Sequence, residues 1–300
     1  MRRLLAVAIS GMLAAALLTG CGGRPAGVDG DLTDDWSAPA APKSFVPQVD
    51  VCHPTAEQIS YLSSYHPVDC AGGHGAETVH VGSFTGPDAE RTSPPPAGSP
   101  ALRSAFGECD ARAQRFVGGD WRGGQLSVVV VSPSPQGWTG GSRWYRCDLV
   151  QSASLEVWTV QTGVQWLKRT GSLRGALAKP SPLAYTCFNE ASVGGGFQPV
   201  GCGQPHRYEY AGIWTSPDMP FEKIDLKGDS IHGRCRAVIA RYVKVPASVD
   251  MRFRTGTAFR TPSEEAWGRG DRGIRCFLYS DNRELTRSLR GAGPGALPAR

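Results

Sequence analysis

Apolar positions along the chain change period in an order that repeats. Thr78–Phe84 and Tyr208–Trp214 alternate in the two-residue rhythm of a half-buried strand. Each is followed by a stretch in which apolar groups recur every three to four positions. The first stretch is Ala101–Val117, with Leu102, Ala105, Phe106, Cys109, Ala113 and Phe116 on one face. The second is Ile231–Val243, with Ile231, Cys235, Val238, Ile239 and Tyr242, and with Asp229 or Ser230 able to cap it. Leu126–Val131 is a nearly continuous apolar strand, and Val249–Phe253 is its weaker counterpart. A proline-containing turn, a tryptophan and a last strand close the units at Cys147 and Cys276. Two strands, a helix and two more strands predict an α+β fold: two tandem homologous small domains, each a short antiparallel-type sheet with one main helix.

The residue types repeat with the pattern. Cys70, His74 and Glu77 read C-x3-H-x2-E, and Cys202, His206 and Glu209 read it again. Pro133, Trp138, Arg143 and Cys147 match Pro262, Trp267, Arg272 and Cys276 at the same offsets. Between these blocks stand Cys109 and Cys235, each with a glycine two residues earlier. The expected boundaries are 49–152 and 181–280 for the domains, with a connector at 153–180. Within that connector Leu155–Val160 alternates like an edge strand. Arg91–Pro100 is a proline- and serine-rich insertion expected on the surface. Residues 281–300 hold Gly, Pro and Arg and are expected to be a disordered tail.

The beginning of the chain sets the compartment. Arg2 and Arg3 precede the apolar run Leu4–Leu18, which is too short for the roughly 20 residues that cross a bilayer. Leu18-Thr19-Gly20-Cys21 then resembles the lipobox of bacterial lipoproteins. The resemblance implies a signal peptide at 1–20, cleavage before Cys21 and lipidation of that cysteine. Residues 21–48, poor in large apolar groups, are expected to be a flexible stalk. The expected location is the extracytoplasmic face of the cell membrane, with the lipid anchor as the membrane contact.

Outside the cytoplasm thiols oxidise and stay oxidised. Of nine cysteines, all but Cys21 divide four and four, as a disulfide framework predicts. Elements that are neighbours in sequence are usually neighbours in space. That order favours Cys52–Cys70, Cys109–Cys147, Cys187–Cys202 and Cys235–Cys276. The formal charge of +5 is mild, and no dense basic run with interleaved aromatics marks a nucleic-acid binder.

The cysteine frame, the C-x3-H-x2-E step and the Trp-x4-Arg-x3-Cys ending resemble the septum formation domain of envelope-attached actinobacterial proteins. The second half is the closer, with Cys202-Gly203-Gln204-Pro205-His206 and Gly270-Asp271-Arg272. The first has Cys70-Ala71-Gly72-Gly73-His74 and Gly141-Ser142-Arg143, without the proline and the acid. The resemblance implies a context in cell division and names no reaction.

The candidate binding residues are His74, Glu77, Trp138, Arg143, His206, Glu209, Trp267 and Arg272. Each has a structural alternative. The His–Glu pairs suit acid–base chemistry or zinc, yet a cysteine locked in a disulfide is no thiolate ligand and no second ligand pair lies near. Otherwise the histidine caps a loop and the glutamate opens a strand. The tryptophans suit stacking on cell-wall glycan or a place in the core beneath an arginine. Gly228-Asp229-Ser230 resembles the opening motif of one lipase class, but no Asp-x-x-His accompanies it. No catalytic group, metal or cofactor is assigned. The expected function is binding or scaffolding in the envelope, against an envelope or division protein or wall glycan, with two domains suited to bridging. A wall hydrolase and a metal-binding accessory protein are the alternatives.

Overall fold

The computed structural model describes Ala26, Gly30 and residues 43–153, 155, 165–191, 196–224 and 229–297. The expected leader at 1–20, Cys21, most of the expected stalk and residues 156–160 lie outside them. No helix among the described residues is long and apolar enough to cross a membrane.

The first half runs β1 (Val51–His53), β2 (Ile59–Ser60), β3 (Ala76–Ser83), α1 (Pro100–Val117), β4 (Leu126–Pro133), α2 (Pro135–Thr139), β5 (Trp144–Ser152) and β6 (Trp166–Leu167). The second runs β7 (Cys187–Glu190), β8 (Phe197–Val200), β9 (Tyr208–Thr215), α3 (Asp229–Val243), β10 (Gly256–Arg260), α4 (Glu264–Arg269) and β11 (Gly273–Tyr279). One sheet is ordered β1-β3-β5-β4-β2 with β6 against β5; the other is ordered β10-β11-β9-β7-β8. The path β1-β3-β5-β4 therefore matches β7-β9-β11-β10. Registers match as well. Cys52 faces Glu77 and Glu77 faces Leu149, as Cys187 faces Glu209 and Glu209 faces Leu278. Both ladders then shift register at the same step, after Thr78–Asp148 and after Tyr210–Phe277. A slip of one residue would turn each strand's apolar set to the wrong face. Shared register thus means shared faces.

One face of each sheet takes the long helix. Ser99 accepts from the Leu102 amide to cap α1, Pro100 opens it, and Gly118 ends it at φ 76°. Its buried side, including Phe106, Cys109, Ala113 and Phe116, packs on Leu126, Val128, Tyr145 and Leu149. In the second half Ile231, Cys235 and Val238 of α3 meet Ile274 and Cys276. The disulfides are Cys52–Cys70, Cys109–Cys147, Cys187–Cys202 and Cys235–Cys276, the pairing that neighbouring order favours. Two tie an opening strand to the loop before the histidine, and two tie a helix to the last strand. Each contributes about 2–4 kcal/mol, mainly by constraining the unfolded chain.

Several expectations are corrected. Folded chain begins before residue 49: Phe45 meets Tyr65 edge to face at 4.7 Å and lies 6.3 Å from Trp144, and Pro47 is buried. Val249–Phe253 is a 3-10 turn, with Met251 buried while Val249 and Phe253 face solvent; the strand is β10. Asp229 and Ser230 lie inside α3 rather than capping it. Residues 281–297 are no loose tail, because Leu285, Leu289 and Leu297 are 4% exposed and complete the core around Ile239 and Leu278.

Nor are the halves independent beads. Ser44–Arg300 clusters as one compact unit. Its keystone is Arg122, in the 3-10 turn Trp121–Gly123 that leaves the first half and enters the second. Its Nε donates to Asp271 at 2.8 Å and its NH1 to Asp110 at 2.6 Å, while its carbonyl accepts from Arg275. Burial opposes this charge, yet Asp271, Asp110 and Asp120 outweigh it and hold the guanidinium protonated well above the ordinary arginine range. The amides of Tyr185 and Gln125 add backbone bonds across the junction, to Gly123 and Leu183.

Candidate functional site

Glu77 and Glu209 are buried at the centre of a repeated clasp. Glu77 accepts from the Ser172 hydroxyl at 2.5 Å and the Leu173 amide at 2.7 Å. Glu209 accepts from Ser288 at 2.9 Å and the Leu289 amide at 2.9 Å. Behind those pairs stands a second sequence repeat, Ser172-Leu173-Arg174-Gly175-Ala176 and Ser288-Leu289-Arg290-Gly291-Ala292. Gly175 and Gly291, at φ 68° and 67°, turn back so that their amides donate to Phe116 and Tyr242 of the long helices. Arg174 and Arg290 lie over those two rings. This repeat was the available signal for where each half ends, and a reading centred on cysteines passes over it.

His74 and His206 anchor the same clasp. Each Nδ1 donates to a carbonyl two residues back, Gly72 at 2.9 Å and Gln204 at 2.8 Å. Their backbones pair with Arg169 and Leu285. The halves then differ. His206 Nε2 lies 3.2 Å from Glu209, whereas His74 Nε2 is buried with no hydrogen-bond partner among the described residues. Tyr242 also donates to Glu209 at 2.6 Å. Burial, and next the Glu209 carboxylate, push that phenol well above its ordinary range, so it stays a donor. Cys187, His206 and Glu209 cluster closely enough to suggest a metal, as do Cys52, Cys70 and Glu77. Their sulfurs are in disulfides, and the Glu209 oxygens are already occupied by donors.

The tryptophans are core plugs. Trp138 and Trp267 are 1% and 2% exposed. Their indole N–H groups donate to the carbonyls of Arg91 and Met219 at 2.7 and 2.6 Å. Arg143 and Arg272 cover the rings at 4.2 and 4.3 Å. Neither ring is presented as a platform for sugar.

On the sheet face away from the helix, equivalent positions carry opposite chemistry. In the first half His53 Nε2 meets Thr78 at 2.9 Å, Thr78 donates to Asp148 at 2.8 Å, and Arg146 donates to Asp148 and to Glu57. Burial and then the Arg146 charge hold His53 down at about 4, against a smaller pull from Asp148. Phe188, Tyr210 and Phe277 stand at the positions of His53, Thr78 and Asp148. Phe277 sits 5.8 Å from Phe188 and 5.7 Å from Tyr210.

One cleft between the halves is lined by groups that the frame leaves open. About 270 Å3 in volume, it runs between β4 and α4 and is lined by Trp121, Val129, Trp166, Glu265 and Arg269 among others. Because β2 pairs only with Ser132 and Pro133, the outer edge of β4 over Ser127–Val129 faces this cleft without a strand beside it among the described residues.

The family model described as Septum formation matches residues 50–276. The chain belongs to this family. The septum-formation match spans both halves, from just before β1 to Cys276 in β11, and ends before the Ser288–Ala292 clasp. No curated protein and no solved structure matches the chain.

Proposed function

We propose that this septum-formation protein is a lipid-anchored, extracytoplasmic binding protein that acts without catalysis in cell division. Its two homologous halves hold one cleft in shape. Matching strand order, register and irregularity support an origin by duplication, since chance would not reproduce all three. The lipobox wording around Cys21 supports the anchor, and the disulfides suit an oxidising compartment. The cleft carries the reading. It joins an unpaired strand edge to the half-buried Trp166 and an opposite-charge pair of lining side chains, which suits an extended peptide of an envelope or division protein. The His–Glu and Trp–Arg sets are consumed in holding the fold, so no free carboxylate pair favours a wall hydrolase.

In vivo crosslinking and pull-down with the native chain and with Ala266→Trp, which fills the cleft, tests this. Partner capture and normal septation should be lost in the variant at an unchanged melting temperature. Capture that survives a filled cleft rejects the assignment. Mass spectrometry of the mature protein should find acyl groups on Cys21, and an unmodified residue would reject the anchor.

A further inference from the structure

A second cavity lies far from any role given above, between α3 and the 3-10 turn Val249–Phe253. Its volume is about 370 Å3, and its lining includes Gly233, Arg236, Ser248, Met251 and Arg252. Two guanidiniums thus share one pocket. Among the described residues no carboxylate lines it, and neither arginine has an ion pair. The Nε of Arg236 has no hydrogen-bond partner among the described residues. A buried charged donor left unpaired is costly, which marks a place where an acceptor is missing.

The rim supplies the other half of the recognition. Val249 is 81% exposed and Phe253 49%, the first and last residues of the turn that contributes Arg252. Arg252 itself stacks on Phe253 at 4.6 Å, which holds its fork in place without neutralising it. At Gly233 a side chain would meet nothing within 4 Å, so the floor is open.

We propose that this pocket binds the phosphate of an anionic phospholipid headgroup. Arg236 and Arg252 donate to the phosphate oxygens, and Val249 and Phe253 lie against the acyl chains. Planar guanidiniums match phosphate by paired N–H donors. A free phosphate would use the arginines and leave the apolar rim unexplained, so the lipid is the better occupant.

Titration calorimetry on the full chain, with short-chain lipids below their micelle concentration, tests the proposal. Dihexanoyl phosphatidylglycerol should bind, and inorganic phosphate and dihexanoyl phosphatidylcholine should bind at least tenfold more weakly. R236Q/R252Q should weaken phosphatidylglycerol at least tenfold with the melting temperature kept. Gly233→Leu should do the same by occupying the floor while leaving both charges in place. Equal affinity for inorganic phosphate would reassign the pocket to a free anion and overturn the lipid. Equal uptake of phosphatidylcholine, or binding indifferent to all three substitutions, would overturn the site.

Discussion

Set side by side, the two halves are alike on the sheet face that meets the helix and unlike on the other. Toward the helix both place a cysteine bridge, a buried glutamate and a Ser-Leu-Arg-Gly-Ala clasp. On the far face the first half has His53, Thr78, Arg146 and Asp148, and the second has Phe188, Tyr210, Arg275 and Phe277, so the arginine is shared while its carboxylate partner is replaced by a phenylalanine. What covers each face accounts for the difference. The second half's face is closed by the Trp121–Gly123 turn of the first, with Gly123 near Tyr210 and the Arg122 carbonyl accepting from Arg275, so its arginine is satisfied by backbone and needs no carboxylate. The first half's face is closed by the segment carrying Glu57, which brings a carboxylate for Arg146. A frame held by disulfides and register leaves the opposite face free to follow its cover.

The sharpest way to break this comparison is to remove one charge from the polar face. Arg146→Met should cost about 3–5 kcal/mol in urea melts, because Asp148 is left buried without its partner. Adding Asp148→Leu should recover most of that loss, because the carboxylate left unpaired is then removed as well. A double variant as unstable as the single one would show that the two faces are not interchangeable.

The clasps come next. Glu209→Ala should cost about 3 kcal/mol and Glu77→Ala about 2, since Glu209 accepts from Tyr242 besides the serine and the leucine amide. Hydrogen exchange at Leu289 and Leu173 reads the two separately, and equal losses would mean that the extra donor contributes nothing.

Acid separates the halves by a smaller amount. His53 stays neutral in the fold down to about 4, whereas in the unfolded chain it takes up a proton near its ordinary 6.5. The unfolded state therefore binds more protons between those values, and stability falls as pH drops from 6.5 toward 4. The loss should reach at most about 3 kcal/mol. His53→Phe, the residue type at the matching position Phe188, should flatten that slope, and a slope that persists would assign the acid sensitivity elsewhere.

The smallest effect is expected where both halves expose the same contact. Arg174→Ala and Arg290→Ala should each change stability by about 0.5 kcal/mol, because these cations lie at the surface over Phe116 and Tyr242. A larger loss at Arg174 alone would give weight to its exposed pair with Asp50.

Much of this was legible in residue order. The cysteines, the repeated C-x3-H-x2-E step and the helical spacing of Phe106, Cys109 and Phe116 encode local elements and their near neighbours, and short-range patterning reports such features directly. The Ser172 and Ser288 repeats were equally visible, yet small polar residues beside glycine look like loop until a buried carboxylate is seen to accept from them. Val249–Phe253 alternates like a strand, but burial selected only Met251.

By itself, then, the sequence determined the α+β class, marked the repeated motifs and favoured one pairing of the cysteines, because each depends on period and proximity along the chain. The tertiary structure alone decided that Arg122 joins the halves, that a cleft opens beside β4, and that one sheet face holds a buried ion pair where its counterpart sets an arginine among aromatic rings. These rest on contacts between residues far apart in order, such as Arg122 and Asp271. Their cost or benefit is set by burial, which no local pattern records.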